Sequence, residues 1–307
     1  MKFIALKTNN GQEKGEISFY CRVLEVTRQG FYRYLESLDK AWKYEALAAQ
    51  MQEIIAEDEC NDTYGSVRMY EALQLKQSLD PEFFPYLPSE RTVYRIMRSL
   101  GLIHTPKRTP NGLTKADKEA MKSDDKIKRD FTAEKPLTKC VTDITEVKTA
   151  DGKLYVSAIE DCFDNMVLGL SMADNMRAGL CVATMQSAVK SHPGLRGAII
   201  HSDRGSQYTS DEYRQAVSKY GIIQSMNSAG GRCHDNAKCE SLWARFKDEL
   251  LYGRYKTEKM SRAAVKSLIW RYFMSYWNNR RICSANGGLP PKLKRVRYYE
   301  SLSVKVA

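Results

Sequence analysis

Three acidic side chains in this sequence stand where a carboxylate has chemical uses. Asp143 lies inside an apolar, β-branched run, "CVTDITEVKT". Asp203 follows the apolar run 198–200, which stops in "HSDRGSQYTS". Glu240 lies early in "NAKCESLWARFKDELL", a segment of helical periodicity. Singly, each has an ordinary reading: a turn cap, a strand end, a helix-surface charge. Gathered at one point, three carboxylates repel one another strongly, and divalent cations relieve that repulsion. Hard oxygen ligands with open positions suit Mg²⁺ or Mn²⁺. Two ions per site clamp the attacking and leaving oxygens of a phosphodiester in an in-line displacement. The chemistry to look for is metal-dependent phosphoryl transfer on nucleic acid.

The elements around these acids must bring them together. From residue 140 the periodicity is that of strands. "CVTDITEVKT" and "KLYVSAIEDCF" flank Asp151-Gly152, a hairpin signal, and "NMVLGLSMA" makes a third strand. A helix over 176–191, strand "GAIIHSD", a helix near 210–220, strand "IIQSMN" and a helix over 236–251 follow. This order predicts an α/β fold whose mixed sheet starts antiparallel, gains parallel strands and is covered by helices. Asp143 shares a strand face with Val141 and Thr145. Asp203 ends a parallel strand, the usual place for sites in open α/β sheets. A helix from about 261 to 278 and a basic tail close the chain.

The first half is helical. Residues 17–38 read as two short helices that break near Glu25-Val26, with Thr27 as N-cap, and 41–57 as a third. Further helices start after Gly65 and at Ser89. In the second, Val93, Ile96, Met97 and Leu100 share one face, Gly101 supplies the stop, and Arg91, Arg95 and Arg98 cover the rest. This pair fits a helix-turn-helix whose second helix meets DNA, although its connection, 75–88, is long for one. The expected organisation is an N-terminal helical segment (1–58), a helix-turn-helix-like DNA-binding domain (59–105), a basic linker (106–139), the catalytic core (140–253) and a basic C-terminal helix and tail (254–307).

Charge supports a nucleic-acid partner. The chain carries +11 overall, and residues 254–299 hold 12 Lys or Arg against one acid, Glu258. Such a stretch repels itself unless it meets a polyanion. The eight cysteines are scattered, and Cys233, His234 and Cys239 lack the spacing and the fourth ligand of a zinc site. With no membrane span and no signal peptide, a reducing, cytoplasmic setting is expected.

The words "VTDIT", "HSDRGSQYTS", "GIIQSMN", "CHDNAKCES", "FKDEL" and "YWNNRR" together resemble the OrfB-type insertion-sequence transposases, within the retroviral-integrase-like DDE recombinase family. "FYCRVLEVTRQGFYRYL" and "YGSVRMYEAL … SERTVYRIMRSLGL" look like that family's N-terminal helical segments. The resemblance implies an RNase H-like integrase catalytic core, with Asp143, Asp203 and Glu240 as its metal-binding catalytic acids. It also implies an upstream DNA-binding fusion partner made by frameshifting. The sequence departs from the family at Cys140 and His234, where tryptophan is usual. Thirty-six residues separate Asp203 from Glu240, one more than usual, and the loop at Ala229-Gly230-Gly231 is where length is cheap.

Supporting roles follow by position. Lys247 lies seven residues beyond Glu240, on the same helix face, and Arg204 flanks Asp203; both are candidates for DNA phosphate, along with Asn278, Arg280 and Arg281. His201 reads as orienting Asp203 or as a structural hydrogen bond, Asn236 as a helix cap, and Asp161 as structural. The function expected is a DDE transposase that cleaves and joins strands at element ends. It would act on terminal repeats and target DNA as a homodimer or larger assembly, because two ends must be held. An RNase H-like nuclease without joining and a non-catalytic helix-turn-helix regulator are the alternatives.

Overall fold

The computed structural model describes residues 1–38, 42–80, 86–105, 124–227 and 236–304. The chain divides into two compact units, Met1–Gln52 and Glu53–Ala307. In the first, α1 (Lys2–Lys7), α2 (Lys14–Val23) and α3 (Arg28–Leu38) enclose Ile4, Ile17, Cys21 and Phe31. The Thr27 hydroxyl accepts from the Gly30 N–H at 3.0 Å, so the expected cap opens α3. Helix α4 (Glu45–Ala56) runs across the division.

The second unit opens with a 3₁₀ turn, Glu59–Thr63, then α5 (Ser66–Leu79) and α6 (Glu90–Ser99). Helix α5 runs further than its sequence pattern suggested, which shortens the connection to α6. Val93, Ile96 and Met97 are buried as the spacing required, and Gly101 stops the helix at φ +71°. Most of 106–139, the expected linker, lies outside the described residues; its end, 124–131, runs beside the sheet.

Strands β1 (Lys139–Thr149), β2 (Gly152–Asp161), β3 (Val167–Ala173), β4 (Ile199–Ser202) and β5 (Ile223–Met226) form one sheet of order β3-β2-β1-β4-β5. The β1–β2 and β2–β3 pairs are antiparallel, and β4 and β5 join in parallel, as the sequence order implied. Alternation along the strands gives two apolar faces. Cys140, Ile159, Leu168 and Ile200 face α7 (Ala178–Ser191), the short α8 (Ser206–Thr209) and α9 (Asp211–Tyr220). A Cβ at Gly169 would stand 2.5 Å from the Thr184 carbonyl, so only glycine lets α7 lie this close to β3.

Val147, Leu154, Val156, Ala158 and Leu170 face the other way. They meet α10 (Ala237–Phe246), which continues into a π-helical stretch, Lys247–Leu251, and α11 (Arg262–Trp270), which continues likewise over Arg271–Trp277. Trp243, Phe246, Tyr272, Phe273, Tyr276 and Trp277 fill this layer, and each such ring contributes roughly 2–3 kcal/mol on burial. The chain closes with α12 (Pro291–Val304), a helix where only a basic tail was expected. This is the mixed, helix-covered sheet of the RNase H-like fold. Among the described residues no helix is long and apolar enough to cross a membrane.

Part of the C-terminal positive charge, that of Arg254, Arg271, Arg281 and Arg295 included, is taken up by acids elsewhere in the chain. Arg271 binds Asp58 at 2.7 Å and Glu59 at 2.5 Å, Arg254 binds Asp62, and Arg295 binds Asp161 and Asp164 at 2.7 Å each. Arg281 forks onto Glu249 at 2.8 and 2.6 Å, and Arg68 and the Tyr272 hydroxyl reach the same carboxylate at 2.8 Å. The self-repulsion read from residues 254–299 is therefore partly relieved by acids far away in sequence, which a count within the window could not register.

Glu249 ties α5, the end of α10 and the C-terminal helices into one hub. Its arginine partners overcome its burial and hold its pKa at about 2, against an ordinary 4.5. Because the folded pKa lies below the unfolded one, this contribution is complete above pH 4.5 and is lost as pH falls towards 2. Glu249→Gln should cost about 3–5 kcal/mol at pH 7 in urea unfolding, because it strands the buried Arg281 charge. The variant should also lose the corresponding acid-side slope of stability against pH.

Candidate active site

Strand register brings the first two acids together. Val141 of β1 lies opposite His201 of β4 in a parallel ladder. Asp203, just beyond the end of β4, is thereby brought near Asp143, where its charge is felt. The Asp203 loop turns sharply here: the Gly205 N–H donates to Asp203 Oδ1 at 2.9 Å. A Cβ on Gly205 would stand 3.0 Å from that oxygen and 2.5 Å from Gln207 Oε1, which explains the glycine two residues after the acid.

The third acid arrives on α10. The Trp243 indole N–H donates to Asp143 Oδ2 at 3.2 Å, pinning the second turn of the helix to β1. Glu240, three residues earlier, sits one turn back on the same side. Its charge, like that of Asp203, is felt at Asp143. Asp143 and Asp203 are half-buried, whereas Glu240 is exposed.

Electrostatics mark the site. Burial first, then the charges of Asp203 and Glu240, push Asp143 up to about 7; the Ile144 N–H and the Trp243 indole pull it back only in part. Burial also raises Asp203, against the Gly205 N–H and His201. Among the described residues, no cationic side chain stands among the main influences on Asp143. The donors are hard carboxylate oxygens with uncompensated negative charge, so a divalent cation fits them. Yet among the described residues no three His, Cys, Asp or Glu side chains close into a ready coordination sphere. The acids share one neighbourhood, and the exposed Glu240 side chain would have to turn inward to complete it.

Residues 133–231 match the integrase core domain family. Transposase InsF for insertion sequence IS3A of Escherichia coli (strain K12) is 28% identical over 294 residues, 95% of this chain and 97% of the relative. These matches support an insertion-sequence transposase of the retroviral-integrase-like DDE family. An insertion element IS600 31 kDa protein of Shigella sonnei is also 28% identical, over 91% of this chain and 98% of its own length. Among solved structures, the simian T-cell lymphotropic virus intasome with PP2A regulatory subunit B56 gamma is similar, with a TM-score of 0.42 and 14% identity. That match covers 69% of this chain and 70% of the solved one. The magnesium-bound HTLV-2 integrase catalytic core gives 0.35 and 16%, over 53% of this chain and 97% of its own.

The remaining expected residues divide. Arg91, Arg95, Arg98 and Arg280 are exposed, and Lys247 is half-buried. Arg204 donates to the Asn227 carbonyl, which closes the Asp203 loop on the end of β5. Two assignments change. Arg281 is only 2% exposed and committed to Glu249. Asn278 is buried and pairs with the N–H and carbonyl of Val167, both at 2.9 Å, like one more residue of the ladder. Both are structural: Asn278 at the end of the helix and Arg281 just beyond it turn inward.

His201 is buried too. Its ring nitrogens meet Ser225 Oγ and Asn227 Oδ1, each at 2.9 Å, so it ties β4 to β5. Asn236 stands at the N-cap of α10 but makes no side-chain cap bond, and its buried Oδ1 has no hydrogen-bond partner. Asp161 accepts from Leu137 and Phe163 N–H groups and from Arg295, a structural role as expected. Cys233 and His234 lie outside the described residues, as does the loop at 229–231. Sequence reasoning missed Trp243; its i+3 spacing from Glu240 was the available signal.

A raised carboxyl pKa is worth most stability below the unfolded value, and that stability is lost as pH rises through the folded one. In metal-free protein, Asp143→Asn should therefore gain roughly 2–4 kcal/mol over the native chain between pH 4 and pH 8. Chemical denaturation in the presence of a chelator, repeated across that range, measures it. A constant difference would contradict the electrostatic picture.

Proposed function

We propose that the chain cleaves and joins DNA strands at the ends of an insertion sequence, with Asp143, Asp203 and Glu240 holding two divalent ions. The observation that carries this is the half-buried Asp143 carboxylate, crowded by two like charges, with no side-chain cation among its main influences from the described residues. Bound Mg²⁺ or Mn²⁺ would supply Lewis acidity at the attacking and leaving oxygens. The chain's own residues do the rest. Asp143 and Asp203 are fixed by strand register and loop, and Trp243 orients the first carboxylate. The Asp203 loop is closed by Gly205 and Arg204.

DNA recognition falls to the helical pair. Arg91, Arg95 and Arg98 project from α6 towards solvent and are placed to meet phosphates or base edges. Lys247 and Arg280 add phosphate contacts nearer the site. Two element ends require at least two protomers on DNA, and an upstream DNA-binding fusion partner is compatible with the helical N-terminus. The setting is the bacterial cytoplasm, at the nucleoid.

Asp143→Asn, Asp203→Asn and Glu240→Gln should each cut strand cleavage at least about 10³-fold while leaving affinity for terminal-repeat DNA within about threefold. A labelled terminal duplex with Mg²⁺, followed by a target plasmid, separates cleavage from joining. Cleavage without joined product in the native chain would favour the nuclease reading; normal cleavage by Glu240→Gln would remove that residue from the site. Alanine at Arg91, Arg95 or Arg98 should weaken DNA binding, and each lost phosphate contact should reduce the salt-dependence slope by about one. Binding titrations at several salt concentrations read this directly.

A further inference from the structure

The first turn of α10 carries a second anchor to the sheet. Lys238 Nζ lies 3.4 Å from Glu160 Oε1 and donates to Asn165 Oδ1. Glu160 is 3% exposed at the end of β2, and the Lys238 side chain is 13% exposed. Asn165 lies in the turn between β2 and β3, in the left-handed region at φ +64°. That turn is itself clamped: the Trp277 indole donates to the Asn165 carbonyl at 2.8 Å, and the Asn165 amide donates to Asn286 at 3.0 Å. Lys238 therefore grips a rigid part of the molecule.

We propose that Lys238 is a positioning residue for Glu240, holding the first turn of α10 in register through Glu160 and Asn165. This rests on the reading of Glu240 as a metal-binding acid. Glu240 lies two residues after Lys238 and three before Trp243, so it sits between the two polar anchors of its helix. Burying an ion pair is a costly way to hold a helix, since apolar residues of the same volume do it as well or better. What the pair adds is direction: it sets both the rotation and the axial register of the turn. Among the described residues Glu160 Oε2 has no hydrogen-bond partner, so Lys238 is the cation in direct contact with this carboxylate. Apolar contacts alone would leave the turn free to slide by a fraction of a residue, and Mg²⁺ tolerates little error in ligand geometry.

The test uses the full chain and five variants: Lys238→Met, Lys238→Arg, the double variant Lys238→Met with Glu160→Leu, Asp143→Asn and Glu240→Gln. Lys238→Met alone leaves a bare buried carboxylate and can fail to fold, so the double variant carries the decision. Its thermal midpoint should match or exceed that of the native chain. Amides of residues 238–241 should exchange at least about tenfold faster in it, and Mn²⁺ binding followed by electron paramagnetic resonance should weaken about 10- to 100-fold. Lys238→Arg should restore most of both losses. Native exchange and native Mn²⁺ affinity in the double variant would overturn the role of Lys238. The underlying reading fails separately: Asp143→Asn or Glu240→Gln binding Mn²⁺ as tightly as the native chain would sink it, whereas the exchange measurement needs no metal and judges Lys238 by itself.

Discussion

Like charge held in a half-buried place is the constraint around which this molecule is arranged. The β1–β4 register puts Asp203 beside Asp143, and α10 brings Glu240 to the same neighbourhood. Left alone, this grouping is unfavourable, and the Asp143 carboxyl pays for it by holding its proton until about pH 7. A fold keeps such an arrangement only if strong packing elsewhere outweighs it. Here the aromatic layer between the sheet and the C-terminal helices supplies that excess, and it presses α10 onto the face that carries Asp143. The packing that stabilises the fold is thus the packing that aims the third acid.

The charge economy of the rest of the chain is the opposite of the site's. Glu249 is more deeply buried than Asp143, yet stays ionised because Arg281 and Arg68 meet it. Asp161 and Asp164 have Arg295, and Glu160 has Lys238. Within the described unit from residue 53 onward, buried acids that serve structure have a cation at hand, and Asp143 does not. That contrast sets Asp143 apart from the structural carboxylates more sharply than exposure does. Arg68 on α5 and Glu249 at the end of α10 share one ion-pair hub, so the helical pair and the helix of Glu240 are joined by a part-buried contact.

Much of this was legible in the sequence. Strand periodicity, the Asp151-Gly152 hairpin signal and the α/β alternation gave the strand order and relative directions. The motif words pointed to three acids, which the structure brings into one neighbourhood. Local signals also gave the α3 cap at Thr27 and the stop at Gly101. What escaped was mostly non-local. A run of arginines reads as a polyanion surface until its partners at Asp58, Glu59 and Asp62, some two hundred residues away, come into view. Arg281 and Asn278 looked like DNA contacts because they stand in a basic tail, and the buried partners Glu249 and Val167 that claim them are distant in sequence. Lys238 and Trp243 were hidden because a hydrogen bond to a strand is invisible until the helix is docked. The α12 helix was missed because its sequence is too basic and too weakly amphipathic to declare a buried face.

The proposed site rests on one arrangement, in which the carboxylates of Asp143, Asp203 and Glu240 jointly take a divalent cation. Anomalous diffraction from crystals of the native chain soaked in Mn²⁺ examines this most directly. The account predicts anomalous density bounded by those three side chains, with Glu240 turned inward to reach it. Density elsewhere, or no density at this sheet end at saturating Mn²⁺, would contradict it.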